Sequence, residues 1–310
     1  MWITNADIPA FPLRTELTYT QHRTTSGLLP CRDPFILRAS ELYYLYHSGG
    51  TKGVLCSVSG DLETWSDPVP VFTPPEGFHG TKDLFWAPEC HYYNGAFHIF
   101  TSVFSSLTGH RSISVYRSAD PLGPFTDIAG GCVSPRDWDA IDGTLYVDEE
   151  GQPWLIFVHE WTSMPDGNGG MCAAKLAPDL SALISEPVGL FRARDLPFAV
   201  SGVTDGPFPF RSDSGRLFLL WSNFAESGYI VTVAESVSGR IEGPWKQADA
   251  PLYAKDLRPG WVYDGGHAMI LPKGGGTYLL SLHMPNAHDP VPEHLALLPL
   301  TAGNDGISLV

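Results

Sequence analysis

The 310-residue sequence is short of positive charge, of paired cysteines, of long apolar runs and of helix-forming stretches, and each shortage removes a class of protein. Lysine and arginine number 19 against 34 aspartates and glutamates, a formal net charge of −15. Nucleic acid and anionic lipid bind through neutralising cations, so neither is an expected partner. The five cysteines, Cys31, Cys56, Cys90, Cys132 and Cys172, are odd in number and form no Cys-x-x-Cys pair. That argues against a disulfide framework or a zinc site and for free buried thiols in a reducing compartment. Residues 1–11 carry neither a basic head nor an apolar leader, and no run approaches the ~18 apolar residues of a membrane span. These absences together give the expectation of a cytoplasmic protein with no membrane partner.

Alanine-leucine-glutamate-lysine stretches with helical period are nearly missing. In their place stand 32 glycines, 27 prolines, 9 tryptophans and 12 tyrosines, a composition that favours β-structure. The clearest local pattern spans residues 141–161: a carboxylate, an apolar strand, a polar glycine turn, a second apolar strand and a second carboxylate. Looser copies begin at Asp33, Glu89, Asp205 and Asp264, with turns at 39–41, at Asn94-Gly95, at 212–215 and at 274–276. Glycine-bearing turns between apolar runs are hairpin signals, because the turn needs positive φ.

The five leading acids stand 56, 53, 63 and 59 residues apart. A period of that size belongs to blade-like repeats. Further strands are expected near 54–58, 112–116, 171–176 and 294–300, and the endings Gly123-Pro124-Phe125 and Gly243-Pro244-Trp245 repeat one another. Stacking five four-stranded units radially buries faces that no unit buries alone. The expected fold is therefore an all-β five-bladed propeller, one domain over 1–310, whose residues 1–30 supply either an entry segment or a strand that closes the ring.

In a propeller the innermost strands line a central channel, so acids that lead these strands converge on one mouth. The alternative for each is an Asx residue capping its own turn. Here the residues resemble a known family. Arg32-Asp33-Pro34-Phe35-Ile36, Trp86-Ala87-Pro88-Glu89, Ile141-Asp142-Gly143-Thr144-Leu145, Asp205-Gly206-Pro207 and Gly265-Gly266-His267 are similar, in order and spacing, to the motifs of family 43 glycoside hydrolases.

The resemblance implies a five-bladed propeller that hydrolyses arabinofuranosyl or xylosyl linkages of plant-wall glycans with inversion. It implies Asp33 as general base and Asp142 as the carboxylate that orients the acid and tunes its pKa. Inverting hydrolysis needs one ionised and one protonated carboxyl with water between them, and a third carboxylate beside the acid keeps it protonated. Where the family has glutamate before Gly-Pro, this chain has Asp205, one methylene shorter. Asp205 is the first choice of acid and Glu160, at the far end of an inner hairpin, is the rival, unless Glu160 is a rim ion-pair partner. Glu89 matches a position that helps to bind sugar.

His267 is either a turn histidine or, by resemblance, a channel residue that helps to hold a hydrated cation such as calcium. Phe35, Trp86 and Trp161 adjoin the acids and offer faces for sugar stacking, whereas Trp65, Trp154, Trp221 and Trp245 suit packing between blades. The chain ends soon after the fifth blade, which favours a single-domain arabinofuranosidase or arabinanase over a β-xylosidase with an appended sandwich, and the expected compartment suits exo cleavage of oligosaccharides; the expected activity is that of an exo-acting α-L-arabinofuranosidase or β-xylosidase. Two alternatives stand: an endo-arabinanase, in which loops 105–110, 163–170 and 192–202 would shape a cleft, and a sugar-binding propeller without catalysis.

Overall fold

The computed structural model describes residues 8, 11, 17, 19–21, 29–39, 41–50, 53–80, 85–274, 277–286, 291–303 and 305–310. They form five antiparallel sheets, the first of six strands and the others of four. The inner strands are Phe35–Ala39, Trp86–Tyr93, Ala140–Val147, Asp205–Arg211 and Gly266–Gly274. Each contacts the next, and the fifth contacts the first, so the sheets are the blades of a closed five-bladed β-propeller.

The hairpin chemistry read from the sequence is what bends the chain. Tyr93 pairs with Ala96 across Asn94 (φ 47°) and Gly95 (φ 78°), a two-residue turn of positive φ whose twist matches its strands. Ser212 and Gly215 close the corresponding turn of the fourth blade. Turn residues Ser40, Gly275 and Gly276 lie outside the described residues. Third strands run over Val54–Ser59, His110–Ser118, Gly170–Lys175, Gly228–Ser236 and His294–Gly303; the first, second and fifth are longer than their apolar cores suggested, and the third is shifted by one residue.

The described positions within residues 1–30 make two attachments to the blades. Tyr19–Gln21 add an edge strand to the first sheet against Thr64–Ser66. Pro30 bridges to His294 of the fifth blade, the Cys31 N–H donates to the Glu293 carbonyl and the Leu295 N–H to the Leu29 carbonyl. A three-residue seam thus joins the first blade to the last. The remainder of this segment lies outside the described residues.

Trp65 and Trp221 are wholly buried and Trp154 nearly so, while Trp245 is half-buried against the core shared by blades three and four. Each of the last three tryptophans also finds an acceptor for its indole N–H: Gln247 Oε1 for Trp221 at 3.1 Å, Asp148 Oδ2 for Trp154 at 2.9 Å and the Ile241 carbonyl for Trp245 at 2.8 Å.

Four inner strands open with one shared irregularity. Their register against the second strand slips between Trp86 and Glu89, Ile141 and Thr144, Asp205 and Phe208, and Gly266 and Met269. In each bulge the second residue is left-handed: Ala87 (φ 43°), Asp142 (54°), Gly206 (50°) and His267 (51°). Asp33, two residues ahead of Phe35, has φ 50° and completes the set. Bulges of this kind re-aim a side chain out of the ladder. The structural repeat runs through these five residues and not through the five leading acids: Asp205 precedes its equivalent position by one residue, Glu89 follows by two and Asp264 precedes by three.

Trp221→Ala is expected to lower the unfolding free energy by about 3–5 kcal/mol, the range for deleting a buried aromatic, measured by urea denaturation. A loss below about 1 kcal/mol would contradict a blade interface organised on this ring.

Candidate active site

A bulge frees a backbone N–H that the ladder no longer uses, and here the preceding blade supplies its acceptor. Ser102 Oγ accepts the Asp142 N–H at 2.9 Å, Ser222 Oγ the His267 N–H at 2.8 Å and His283 Nδ1 the Asp33 N–H at 3.3 Å. Ser102, Ser222 and His283 stand opposite the first bulge residue of their own blades, Trp86, Asp205 and Gly266. In the third blade that place, opposite Ile141, belongs to Val158, which has no acceptor to offer. The Gly206 N–H turns instead to Asp142 Oδ2 at 3.0 Å. An apolar residue in one strand thereby ties a carboxylate to the neighbouring blade.

These anchors gather the charged side chains at one mouth of the channel. His267 Nδ1 lies 3.2 Å from Asp33 Oδ1 and 3.8 Å from Asp142 Oδ2. Burial works to lower the His267 pKa, but Asp33, Asp142 and Glu89 outweigh it and hold the imidazole above its ordinary range. Burial works to raise Asp33, and His267, His283 and Arg32 outweigh it, so Asp33 sits below the usual carboxylate range. Burial of His283 pulls its pKa down to about 4. Its Nδ1 accepts the Asp33 N–H and also lies 3.3 Å from Asp33 Oδ1.

Asp142 shifts the other way. Burial raises it and the nearby charges of Asp33 and Glu89 add to the rise, against the opposing pull of His267 and the Gly206 N–H. Asp205 is raised well above the ordinary value, by burial first and then by the Asp142 charge. Its Oδ2 accepts the Tyr229 hydroxyl at 3.0 Å, a phenol whose own pKa burial drives up. The phenol keeps its proton and donates, which leaves Asp205 Oδ1 as the oxygen free to carry a proton.

Glycines make this arrangement possible at two places. A Cβ on Gly266 would lie 2.3 Å from Tyr229 Cε1, and a Cβ on Gly206 would lie 2.9 Å from the His267 ring. Tyr229 therefore reaches Asp205 through the gap that Gly266 leaves, and its N–H is fixed by Asp264 Oδ2 at 3.0 Å. Asp264, the fifth leading acid, also accepts the Asn286 N–H at 3.1 Å. Its side chain thus ties two segments distant in sequence rather than its own turn.

The remaining expected residues divide into two groups. Glu160 is buried with Arg111 Nε 3.5 Å from its Oε2, and the Arg111 guanidinium lies 3.5 Å from the centre of the half-buried Trp86 ring. Burial raises the Glu160 pKa while Arg111 opposes the rise. Trp161 is half-buried against the core of blades three and four. Glu89 is paired with His91 Nε2 at 3.1 Å, and Phe35 is buried in the channel wall with its ring 5.0 Å from that of His91. Phe35 is thus part of the channel lining and not of an exposed sugar platform.

The sequence reading missed Tyr229, His283, Arg111, Ser102 and Ser222. The signal available for each was a polar or hydrogen-bonding residue near the end of an otherwise apolar strand.

The family model of glycosyl hydrolases family 43 matches residues 29–308. The chain belongs to that family. A family 43 chain is a glycoside hydrolase, and three relatives bear this out. The extracellular exo-α-(1→5)-L-arabinofuranosidase ArbA of Cellvibrio japonicus (strain Ueda107) is 27% identical over 307 residues, covering 88% of this chain and 84% of that protein. The extracellular endo-α-(1→5)-L-arabinanase 1 of Bacillus subtilis (strain 168) is 27% identical over 144 residues, 43% of this chain and 44% of that protein. The structure of an endo-arabinase from Bacteroides thetaiotaomicron VPI-5482 is 35% identical and superposes with a TM-score of 0.81 over 93% of this chain and 99% of that one.

Both curated relatives are extracellular by name, and this overturns the expectation of a cytoplasmic protein. The physical basis of that expectation falls as well. Cys31, Cys56, Cys90 and Cys172 are buried, and burial pushes each thiol far up. Such thiols are inert in a reducing or an oxidising setting, so their number does not report a compartment.

Calcium, which the resemblance implies, would lie beside His267, whose Nδ1 faces Asp33 Oδ1 and Asp142 Oδ2. Among the described residues no group of three or more His, Cys, Asp or Glu side chains is arranged to hold a metal ion directly, so water would complete such a site, and no step below runs through it.

The raised Asp205 pKa has a consequence for stability. The unfolded value is about 3.9, so the folded protein binds this proton more tightly than the unfolded chain, and stability falls as pH climbs from there toward the raised folded value. Asp205→Asn carries no such charge. Its unfolding free energy relative to wild type is expected to improve between pH 4 and pH 7.5 in urea titrations, and a difference equal at both pH values would contradict the shift.

Proposed function

We propose that the chain is an inverting hydrolase of α-1,5-linked arabinofuranosyl chains, acting from the chain end on oligosaccharides. The observation that carries the chemistry is the opposed state of two carboxyls at one channel mouth, Asp33 held ionised by the cations around it and Asp205 held protonated beside Asp142. Asp33 takes a proton from water as the water attacks the anomeric carbon, and Asp205 gives its Oδ1 proton to the leaving oxygen on the other face. Asp142 keeps that proton in place by like-charge repulsion. Its own charge is steadied by His267 and by the Gly206 N–H. Trp86, backed on one face by Arg111, and Trp161 offer aromatic faces to the sugar.

Glu160 is a poorer donor than Asp205, because the Arg111 cation beside it favours the ionised form. Arabinose is preferred to xylose because all three relatives named above are arabinan enzymes. The exo reading rests on the relative aligned over 84% of its own length. An endo mode is the second reading, favoured by the 35% identical endo-arabinase that this chain covers almost completely. A sugar-binding propeller without turnover is the outcome to be excluded.

On linear α-1,5-arabino-oligosaccharides and arabinan, wild type is expected to release short sugars without an early fall in viscosity, and Asp33→Ala to be slower by at least about 10²-fold. Equal rates for the two proteins would sink the catalytic reading, and an early viscosity drop would select the endo mode. Asp205→Asn should lose far more activity on oligosaccharides than on an aryl arabinofuranoside with a good leaving group, which needs little protonation. That selectivity in Glu160→Gln instead would transfer the role.

Tyr229→Phe removes a hydrogen bond that favours ionised Asp205. The basic limb of its kcat/KM profile is expected to move to higher pH with a lower plateau, and a limb that stays or moves down would refute the contact's role.

A further inference from the structure

On the same face of the ring, in the loops that connect blade one to two and blade two to three, a second group of reactive side chains stands apart from the carboxylates. His79 follows the strand Val69–Phe72, and Cys132 follows the short strand Thr126–Asp127. His79 Nδ1 lies 3.8 Å from Cys132 Sγ and 3.2 Å from Ser105 Oγ, and His79 Nε2 lies 3.7 Å from Asp127 Oδ2. We propose that Cys132, His79 and Asp127 form a nucleophilic thiol site whose substrates are small electrophiles, peroxides above all.

The order of contacts is that of an activated nucleophile: a thiol, a base within reach of it, and a carboxylate on the far ring nitrogen of the base. Every member is held in place. Asp127 Oδ1 accepts the Ala129 and Gly130 N–H groups at 2.9 and 3.1 Å, which turns Oδ2 toward the imidazole. The His79 carbonyl accepts the Ser106 N–H and hydroxyl at 2.7 and 2.9 Å, and the Phe78 ring lies 4.4 Å from the imidazole. His79 is 9% exposed, and its Nε2 is buried without a hydrogen bond. A polar atom left so costs stability unless charge compensates it, which a protonated ring beside Asp127 provides.

Cys132 differs from the other four cysteines in being partly accessible. Burial works to raise its pKa, and the His79 contacts and Ser105 outweigh it, so the thiol is lowered while His79 is raised to about 9. Among the described residues Tyr116, opposite Asp127, also faces the cluster, and burial pushes its phenol pKa up. The contacts therefore favour the thiolate–imidazolium form of the pair.

In the reaction with hydrogen peroxide the thiolate sulfur attacks one peroxide oxygen and the O–O bond breaks. Sulfur is oxidised by two electrons to sulfenic acid. The departing hydroxide takes the His79 proton and leaves as water, so His79 ends neutral.

The test uses the full chain. Limiting iodoacetamide at pH 7 is expected to label Cys132 and to spare the other four cysteines in peptide mass spectrometry. The alkylation rate should have its midpoint below the ordinary thiol value of about 8.5. His79→Gln should slow labelling at pH 7 by about tenfold or more, the effect of one unit in thiol pKa, and return the midpoint to the ordinary range. Dimedone-trapped sulfenic acid after a hydrogen peroxide pulse should fall by a similar factor. Asp127→Asn, which keeps thiol and imidazole, should give a smaller loss. If circular dichroism finds His79→Gln unfolded, the wild-type profile and Asp127→Asn decide. An ordinary midpoint in wild type, labelling spread over all five cysteines, or an unchanged rate in a folded His79→Gln would overturn the proposal.

Discussion

A left-handed residue at the head of every inner strand is the constraint on which the rest of this molecule depends. Without it the first residues of each inner strand would continue the alternation of the ladder and send every second side chain into the sheet. With it, one position per blade is turned toward the channel mouth. Three of the five positions hold titratable side chains, at Asp33, Asp142 and His267, and two are kept small, at Ala87 and Gly206. Non-glycine residues at such φ cost of order 1 kcal/mol each. Aspartate tolerates the region better than most residues, which makes it a natural occupant.

The second requirement is electrical. Asp33, Asp142 and Asp205 crowd one end of a narrow channel and cannot all be ionised together at low cost. The single imidazolium of His267 lies between two of them and divides the group. The carboxyl nearest the cations has its pKa lowered, and the one beside another acid has its pKa raised. Two chemically identical side chains thus come to differ by environment alone.

The fold was legible because its signals are local. Asn94-Gly95, the Gly-Pro-aromatic endings and the apolar runs each specify a strand end or a turn, and their spacing of about sixty residues carries the ring. The placement of Asp33 and Asp142 at one mouth was legible for the same reason, since each sits in the left-handed place of its motif. The frame of the repeat was not, because the leading acids fall at different offsets from that place. Asp264 looked equivalent to Asp33 and is a loop pin, whereas its true counterpart is His267. Tyr229, His283, Ser102 and Ser222 were hidden by topology: they act on the next blade or across the mouth, and only the closed ring brings them there.

The seam between first and last blades ends where the site begins. Leu29 to Cys31 stitch the chain to Glu293, His294 and Leu295, Arg32 is paired with Glu293, and Asp33 follows directly. The ring is in effect a belt whose buckle lies one residue from the carboxylate with the lowest pKa of the cluster. The place of Asp33 against His267 and His283 therefore depends on the seam, and a ligand bridging Asp33 to the fifth blade would reinforce it.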